Sequence, residues 1–210
     1  MKPLLKSLIT LTKQQKTNLQ RSQQKGFLCL LLSMLSVSGI AATTEQLPPQ
    51  ALLEIKQTIQ GANSFDDKFA AEVWLVGMNQ RLKKFIPESE KRLTLLRMIH
   101  ENATRAQLSP QLVLSVIEVE SRFNTYAISS AGAQGLMQVM PFWKKSIGQP
   151  HDNLTNAETN LRYGCNILSH YLKIEKGNMT KALARYNGSK GQTWYPERVL
   201  LAWERHWFVN

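Results

Sequence analysis

From residue 42 onward the apolar positions recur with helical rather than strand spacing. The run Gln50 to Gln60 stops at Gly61. Ser64 then stands where a cap opens a second helix, with Asp67 at its third position and an inward stripe of Phe65, Phe69, Val73 and Val76. A third helix is predicted from about Glu88 to Gln107, with Leu93, Leu96 and Ile99 inward. Ser109-Pro110 pairs a capping hydroxyl with proline at the first helical position, and the helix it opens runs to Arg122. Pro141 starts a short turn. Thr155-Asn-Ala-Glu158 reads as a capping box for a helix reaching about Lys176 and closed by Gly177. Leu161, Cys165, Leu168 and Leu172 form its inward stripe, and Gly164 permits close approach. A short helix from Lys181 to Arg185 leads into Tyr186-Asn187-Gly188. Pro196 opens the last helix, where Val199, Leu200 and Trp203 are expected to pack. No segment alternates with period two for long enough to be a strand, so a mainly α fold is expected.

Within the Ser109 to Arg122 helix, Gln111, Ser115, Glu118 and Arg122 line up as a polar stripe, predicted to face solvent with Glu118 and Arg122 paired. Glu120 lies about 200° around the helix from Glu118. That puts it above Val113, Val116 and Ile117, on the apolar side. A carboxyl there loses hydration, its pKa rises, and it holds a proton near neutral pH as a general acid must. The same position equally suits a glutamate in a structural ion pair, with Arg162, Arg185 and Arg198 as available partners.

Charge divides the chain. Its 210 residues carry 26 Lys+Arg against 15 Asp+Glu, a net +11. Such a balance points first to nucleic acid, an anionic membrane or an acidic polymer. Six of the bases stand among the first 26 residues, which hold no acid, and a 16-residue stretch interrupted only by Ser and Gly follows from Phe27 to Ala42. This is the pattern of a secretory signal with cleavage after Ala41, or of a retained anchor. As a span it is short, since a crossing helix needs about 20 apolar residues. Residues 1–41 are therefore assigned to a leader, 42–106 to an N-terminal helical extension and 107–210 to a catalytic domain; the protein is expected in the periplasm. Beyond the leader, 20 Lys+Arg face 15 Asp+Glu, a net +5, and no basic reading helix for nucleic acid remains. Any membrane contact would run through an uncleaved leader. Cys29 belongs to the leader, and Cys165 reads as a small buried residue.

Four motifs follow in order: Glu120-Ser-Arg-Phe-Asn124, Gly132-Ala-Gln-Gly-Leu-Met-Gln-Val-Met-Pro141, Asn160 with Gly164 and Tyr171-Leu172, and Ala182-Leu-Ala-Arg-Tyr-Asn187. Together, over roughly residues 88–200, they resemble the soluble-type lytic transglycosylases of SLT family 1, which cleave peptidoglycan. The resemblance implies a goose-type-lysozyme-like fold of the α+β lysozyme-like superfamily. It also implies cleavage of the bond between N-acetylmuramic acid and N-acetylglucosamine with a 1,6-anhydro product. Position by position, Glu120 matches the catalytic glutamate. Ser129, Met137, Gln138, Tyr186 and Asn187 match residues lining the cleft for the glycan strand. Where many members continue Tyr-Asn-Ala-Gly, this chain reads Tyr186-Asn-Gly-Ser-Lys-Gly191, a departure in the following loop. Cell-envelope assembly factors are further conceivable partners. No cofactor and no metal is expected: His100-Glu101 lacks a second histidine four positions on, where Thr104 stands, and His151, His170 and His206 have no ligand spacing. The rivals are a water-using muramidase, whose second carboxylate would be Asp152 or Glu158, and a peptidoglycan-binding protein that has lost catalysis.

Overall fold

Asp67 caps the first described helix: its carboxylate accepts from the backbone N–H groups of Phe69 (3.0 Å) and Ala70 (3.2 Å), which the helix leaves unpaired. The computed structural model describes Leu53, Ile55 and residues 67–208. The leader, Cys29, the Ser64 cap and most of the predicted Gln50 to Gln60 helix lie outside these residues. In order come α1 (Lys68–Leu82), α2 (Ser89–Arg105), α3 (Pro110–Ser121), α4 (Trp143–Ile147), α5 (Ala157–Ile174), α6 (Met179–Asn187) and α7 (Trp194–Ala202). A five-residue π-turn, Trp203–Trp207, ends the described chain's regular structure. Among the described residues there is no strand, only isolated bridges that pair Gln134 with Ile128 and with Val139.

The helix α1 turns a different face inward than its pattern predicts. Ala71, Leu75, Met78 and Leu82 are buried, whereas Phe69 and Val73 are 74% and 53% exposed. Apolar residues are spread almost evenly around this helix, so spacing alone selects no face. In α2 the inward residues are Leu93, Leu96 and Ile99, as the spacing predicts. The buried Arg92 beside them donates to Asn79 Oδ1 at 2.6 Å and to the carbonyl of Ile86 at 2.9 Å.

At the centre lies α3, whose residues from Leu112 to Ile117 are all buried. It meets α2, α7 and the π-turn, while α5 packs on α2 and α6, and α6 on α7. This arrangement overturns the expected solvent stripe of α3. Ser115 is fully buried and donates to the Gln111 carbonyl at 2.7 Å. Glu118 does not pair with Arg122; it accepts from Trp207 Nε1 at 2.7 Å and contacts His206 Nδ1 at 2.8 Å. Of the stripe, Glu118 faces the π-turn, which lies far away in sequence. Trp207 is fully buried against Phe85 and Phe123.

At α5 the cap is Asn156, accepting from Thr159 N at 3.0 Å, and not Thr155. Glu158 accepts from Asn102 Nδ2 at 3.1 Å, so the predicted capping box does not close. Leu161, Cys165 and Leu168 are buried, and Leu172 is half-buried. A Cβ on Gly164 would strike the Met137 side chain, so the close approach of α5 to the loop before α4 at this point needs a residue with no side chain. The last helix starts two residues before Pro196. Val199 packs as expected, but Leu200 is 36% exposed because α3 takes the opposite side of α7.

Candidate active site

Glu120 stands on the last turn of α3, and three segments from later in the chain close on it. The first is the loop between α3 and α4. Its residues 127–139 fold on themselves through hydrogen bonds between Gln134 and Val139 (3.0 and 2.9 Å) and from Gly135 N to the Ala127 carbonyl (2.8 Å). Gly135 has φ +76°, and a side chain there would collide with the Leu154 carbonyl and the Asn160 amide. Asn160 itself is wholly buried in α5 and organises the loop. It donates to the carbonyls of Gln134 (2.7 Å) and Leu154 (2.8 Å) and accepts from Met137 N at 2.7 Å. Ser121, next to Glu120, donates to the Leu136 carbonyl at 2.8 Å and so ties the loop to α3.

The second segment is α6, which brings Tyr186. Its hydroxyl donates to the Met137 carbonyl at 2.7 Å. The third is α7, whose Tyr195 donates its hydroxyl to Glu120 Oε1 at 2.6 Å. Burial pushes the Glu120 carboxyl up to about 7, against the opposing pull of the Tyr195 hydrogen bond and the Arg198 charge. Both tyrosine hydroxyls are held well above their ordinary range, first by burial and then by the neighbouring Glu120 charge. They therefore stay protonated and serve only as donors or neutral acceptors. Among the described residues no hydrogen bond reaches Glu120 Oε2. One carboxyl oxygen is pinned; the other is available to carry a proton.

The remaining carboxylates considered from the sequence are engaged elsewhere. Asp152 accepts from the Tyr163 hydroxyl at 2.5 Å and from Gln149 N at 3.1 Å, and pairs with Arg162 at 3.2 Å. Those bonds, Tyr163 foremost, hold it below the usual carboxylate range. Glu158 is on Asn102, and Glu118 on His206 and Trp207. Of the three arginines proposed as structural partners, Arg162 pairs with Asp152 and Arg185 with Glu175, and only Arg198 acts on Glu120.

The other residues singled out from the sequence fall into two groups. Tyr186, with Met137 and Gln138, sits where the loop meets α6. The Met137 side chain is not a cleft wall: it is fully buried against Gly164 and Cys165, and its backbone carbonyl and N–H are what the neighbours use. Gln138, at φ +49°, donates its side-chain amide back to the carbonyls of Gly135 (2.9 Å) and Ala127 (3.2 Å). Ser129 is half-buried in the tip of the same loop, its oxygen accepting from Ala133 N at 3.0 Å. Asn187 is exposed at the end of α6. Sequence reasoning missed Tyr195. Its only local signal is its place in the first turn of α7 beside Pro196, while its partner lies 75 positions away.

The described helical body is thus built around one desolvated glutamate that accepts a tyrosine hydroxyl and has no acid among the groups that shift it. Residues 97–198 match the family model "Transglycosylase SLT domain". Similar proteins include "Membrane-bound lytic murein transglycosylase C" of Actinobacillus pleuropneumoniae serotype 5b (strain L20), 50% identical over 46 residues, or 22% of this chain and 13% of that one. The protein of the same name from Haemophilus ducreyi (strain 35000HP / ATCC 700724) is 30% identical over 127 residues, 53% of this chain and 32% of that one. "Transglycosylase" of Enterobacteria phage PRD1 is 35% identical over 100 residues, 44% and 37% of the two chains. In each case the match covers well under two thirds of the relative's own length. Among the described residues no helix is long and apolar enough to cross a membrane.

Proposed function

We propose that this protein is a peptidoglycan lytic transglycosylase working with Glu120 as its single acid and base. The observation that carries the reading is the Glu120 carboxyl itself, pushed up to about 7 by burial, with no carboxylate among the described groups that shift it. The SLT domain and the relatives named as murein transglycosylases support the same substrate.

In the proposed reaction, protonated Glu120 gives its proton from Oε2 to the bridging oxygen as the bond between that oxygen and C1 of the muramic acid breaks. The N-acetylglucosamine leaves with a hydroxyl. The substrate's own N-acetyl oxygen bonds to the cationic C1 and takes the place of an enzyme nucleophile. Glu120, now a carboxylate, removes the proton of the muramic acid C6 hydroxyl. That oxygen attacks C1, displaces the acetamido oxygen and closes the 1,6-anhydro ring. Glu120 ends protonated again, and water is neither consumed nor produced. A pKa near the working pH suits a group that must donate and then accept within one turnover. Tyr195 holds Oε1 throughout. Tyr186, Gln138 and Asn187 would position the acetamido group, with Ser129 farther along the strand. The leader pattern of residues 1–41 supports export to the periplasm, where such a substrate is found.

The test is digestion of purified sacculi by the wild type and by Glu120→Gln, with the muropeptides identified by mass spectrometry. Anhydro-muropeptides from the wild type, reduced by at least about a thousandfold in the variant, are expected. Reducing-end products would replace this reading with a muramidase. A wild type that binds sacculi without cutting them would replace it with a binding protein.

A further inference from the structure

Four of the protein's five tryptophans serve the core. Trp207 is buried within it, and Trp74, Trp143 and Trp203 are half-buried against it. Trp194 takes no part in that packing and is 46% exposed. An indole left in water forgoes much of the stabilisation that its burial would contribute. Core packing therefore does not account for a residue of this size at the surface.

The exposed ring is nonetheless held in place. Its Nε1 donates to Gln192 Oε1 at 2.6 Å, and its plane stands at 85° to the Tyr195 ring, with centres 5.9 Å apart. Gln192 is presented by a tight turn. Its backbone N–H donates to the Ser189 carbonyl at 2.9 Å, and Gly191, at φ +86°, takes the turn position that glycine fills without strain. The departure from Tyr-Asn-Ala-Gly after Asn187 thus falls in the segment that supports Trp194.

Two direct contacts join this ring to the proposed acid. Trp194 lies against Tyr195, and the Tyr195 hydroxyl donates to Glu120 Oε1 at 2.6 Å. A sugar ring carries C–H bonds on its faces and hydroxyls around its edge, so one face can lie flat on the electron-rich face of an indole. An indole fixed before binding gives up little freedom when the sugar arrives. Given the proposed function, on which this assignment rests, we infer that Trp194 is a stacking platform for one N-acetylated sugar of the strand, a short way along it from the bond at Glu120. Gln192 positions the ring.

The test separates binding from chemistry. Soluble peptidoglycan strands are digested by the wild type, Trp194→Ala and Trp194→Tyr, and kcat and KM for anhydro-muropeptide release are measured. Trp194→Ala is expected to raise KM about tenfold and leave kcat little changed, since the stacked sugar is not the reacting one. Trp194→Tyr keeps a flat ring and should recover most of that loss. In the wild type, the indole N–H signal that disappears in Trp194→Tyr should shift in NMR spectra as a tetramer of N-acetylglucosamine is added. An unchanged KM in Trp194→Ala, or an indole signal indifferent to the tetramer, overturns the platform and leaves the transglycosylase reading intact. So does a loss of kcat shared by both variants, which would show a ring that only braces Tyr195. A wild type that releases no anhydro product overturns the proposed function, and the indole signal alone then decides the platform.

Discussion

At the scale of the residue, the contest at Glu120 is between hydration and reactivity. Burial raises its pKa from 4.5 to about 7, so between those values the folded protein holds a proton that the unfolded chain has released. Folding stability from this group is complete below about pH 4.5 and declines as pH rises through 7. Glu120→Gln removes the titration but keeps an oxygen for Tyr195. Its stability should match the wild type in acid and exceed it by roughly 3 kcal/mol at about pH 8. Urea titrations at the two pH values check this. Tyr195→Phe removes a hydrogen bond that lowers the Glu120 pKa, so the pKa rises further above its ordinary value. The alkaline limb of the pH–rate profile should move to higher pH, and kcat should fall about tenfold or more as the carboxyl loses its fixed orientation. A profile that keeps its alkaline limb in place would sink that assignment.

At the scale of the element, the α3–α4 loop is held less by its own bonds than by one amide from α5. Asn160→Ala leaves the carbonyls of Gln134 and Leu154 and the N–H of Met137 without their partner. The expected loss is about 2–4 kcal/mol, read from the denaturation midpoint, with activity falling in parallel because Met137 also anchors Tyr186. The elements also show what a sequence can disclose. Residue spacing along α3 is enough to separate Glu120 from Glu118, since the geometry of one helix is local. The partners of those two residues are not local. Glu118 reads as a solvent charge until the π-turn supplies Trp207 and His206, and Tyr195 has no distinguishing pattern until α7 docks. Along α1, apolar residues face every direction, so the helix is legible in the sequence and its inward side is not. Asn160 stands in a recognisable motif, yet its three hydrogen bonds join it to backbone groups of other segments, two of them in a loop more than 20 positions earlier.

At the scale of the whole molecule, the helices are closed by the π-turn. Trp207 packs against the touching rings of Phe85 and Phe123 and bonds Glu118, while Arg81 on α1 donates to the carbonyls of His206 (2.9 Å) and Phe208 (2.7 Å). Trp207→Ala should cost about 3–5 kcal/mol, measured by thermal or urea unfolding. A variant that melts with the wild type would show that the turn is an accessory to the core instead of part of it.

The hydrogen bond from Tyr195 to Glu120 spans 75 positions of chain. Closing so long a loop is slow and carries an entropic penalty, and it follows the local helix contacts that form first. A chain in which α3 has formed but α7 has not docked would hold the glutamate without the hydroxyl that orients it.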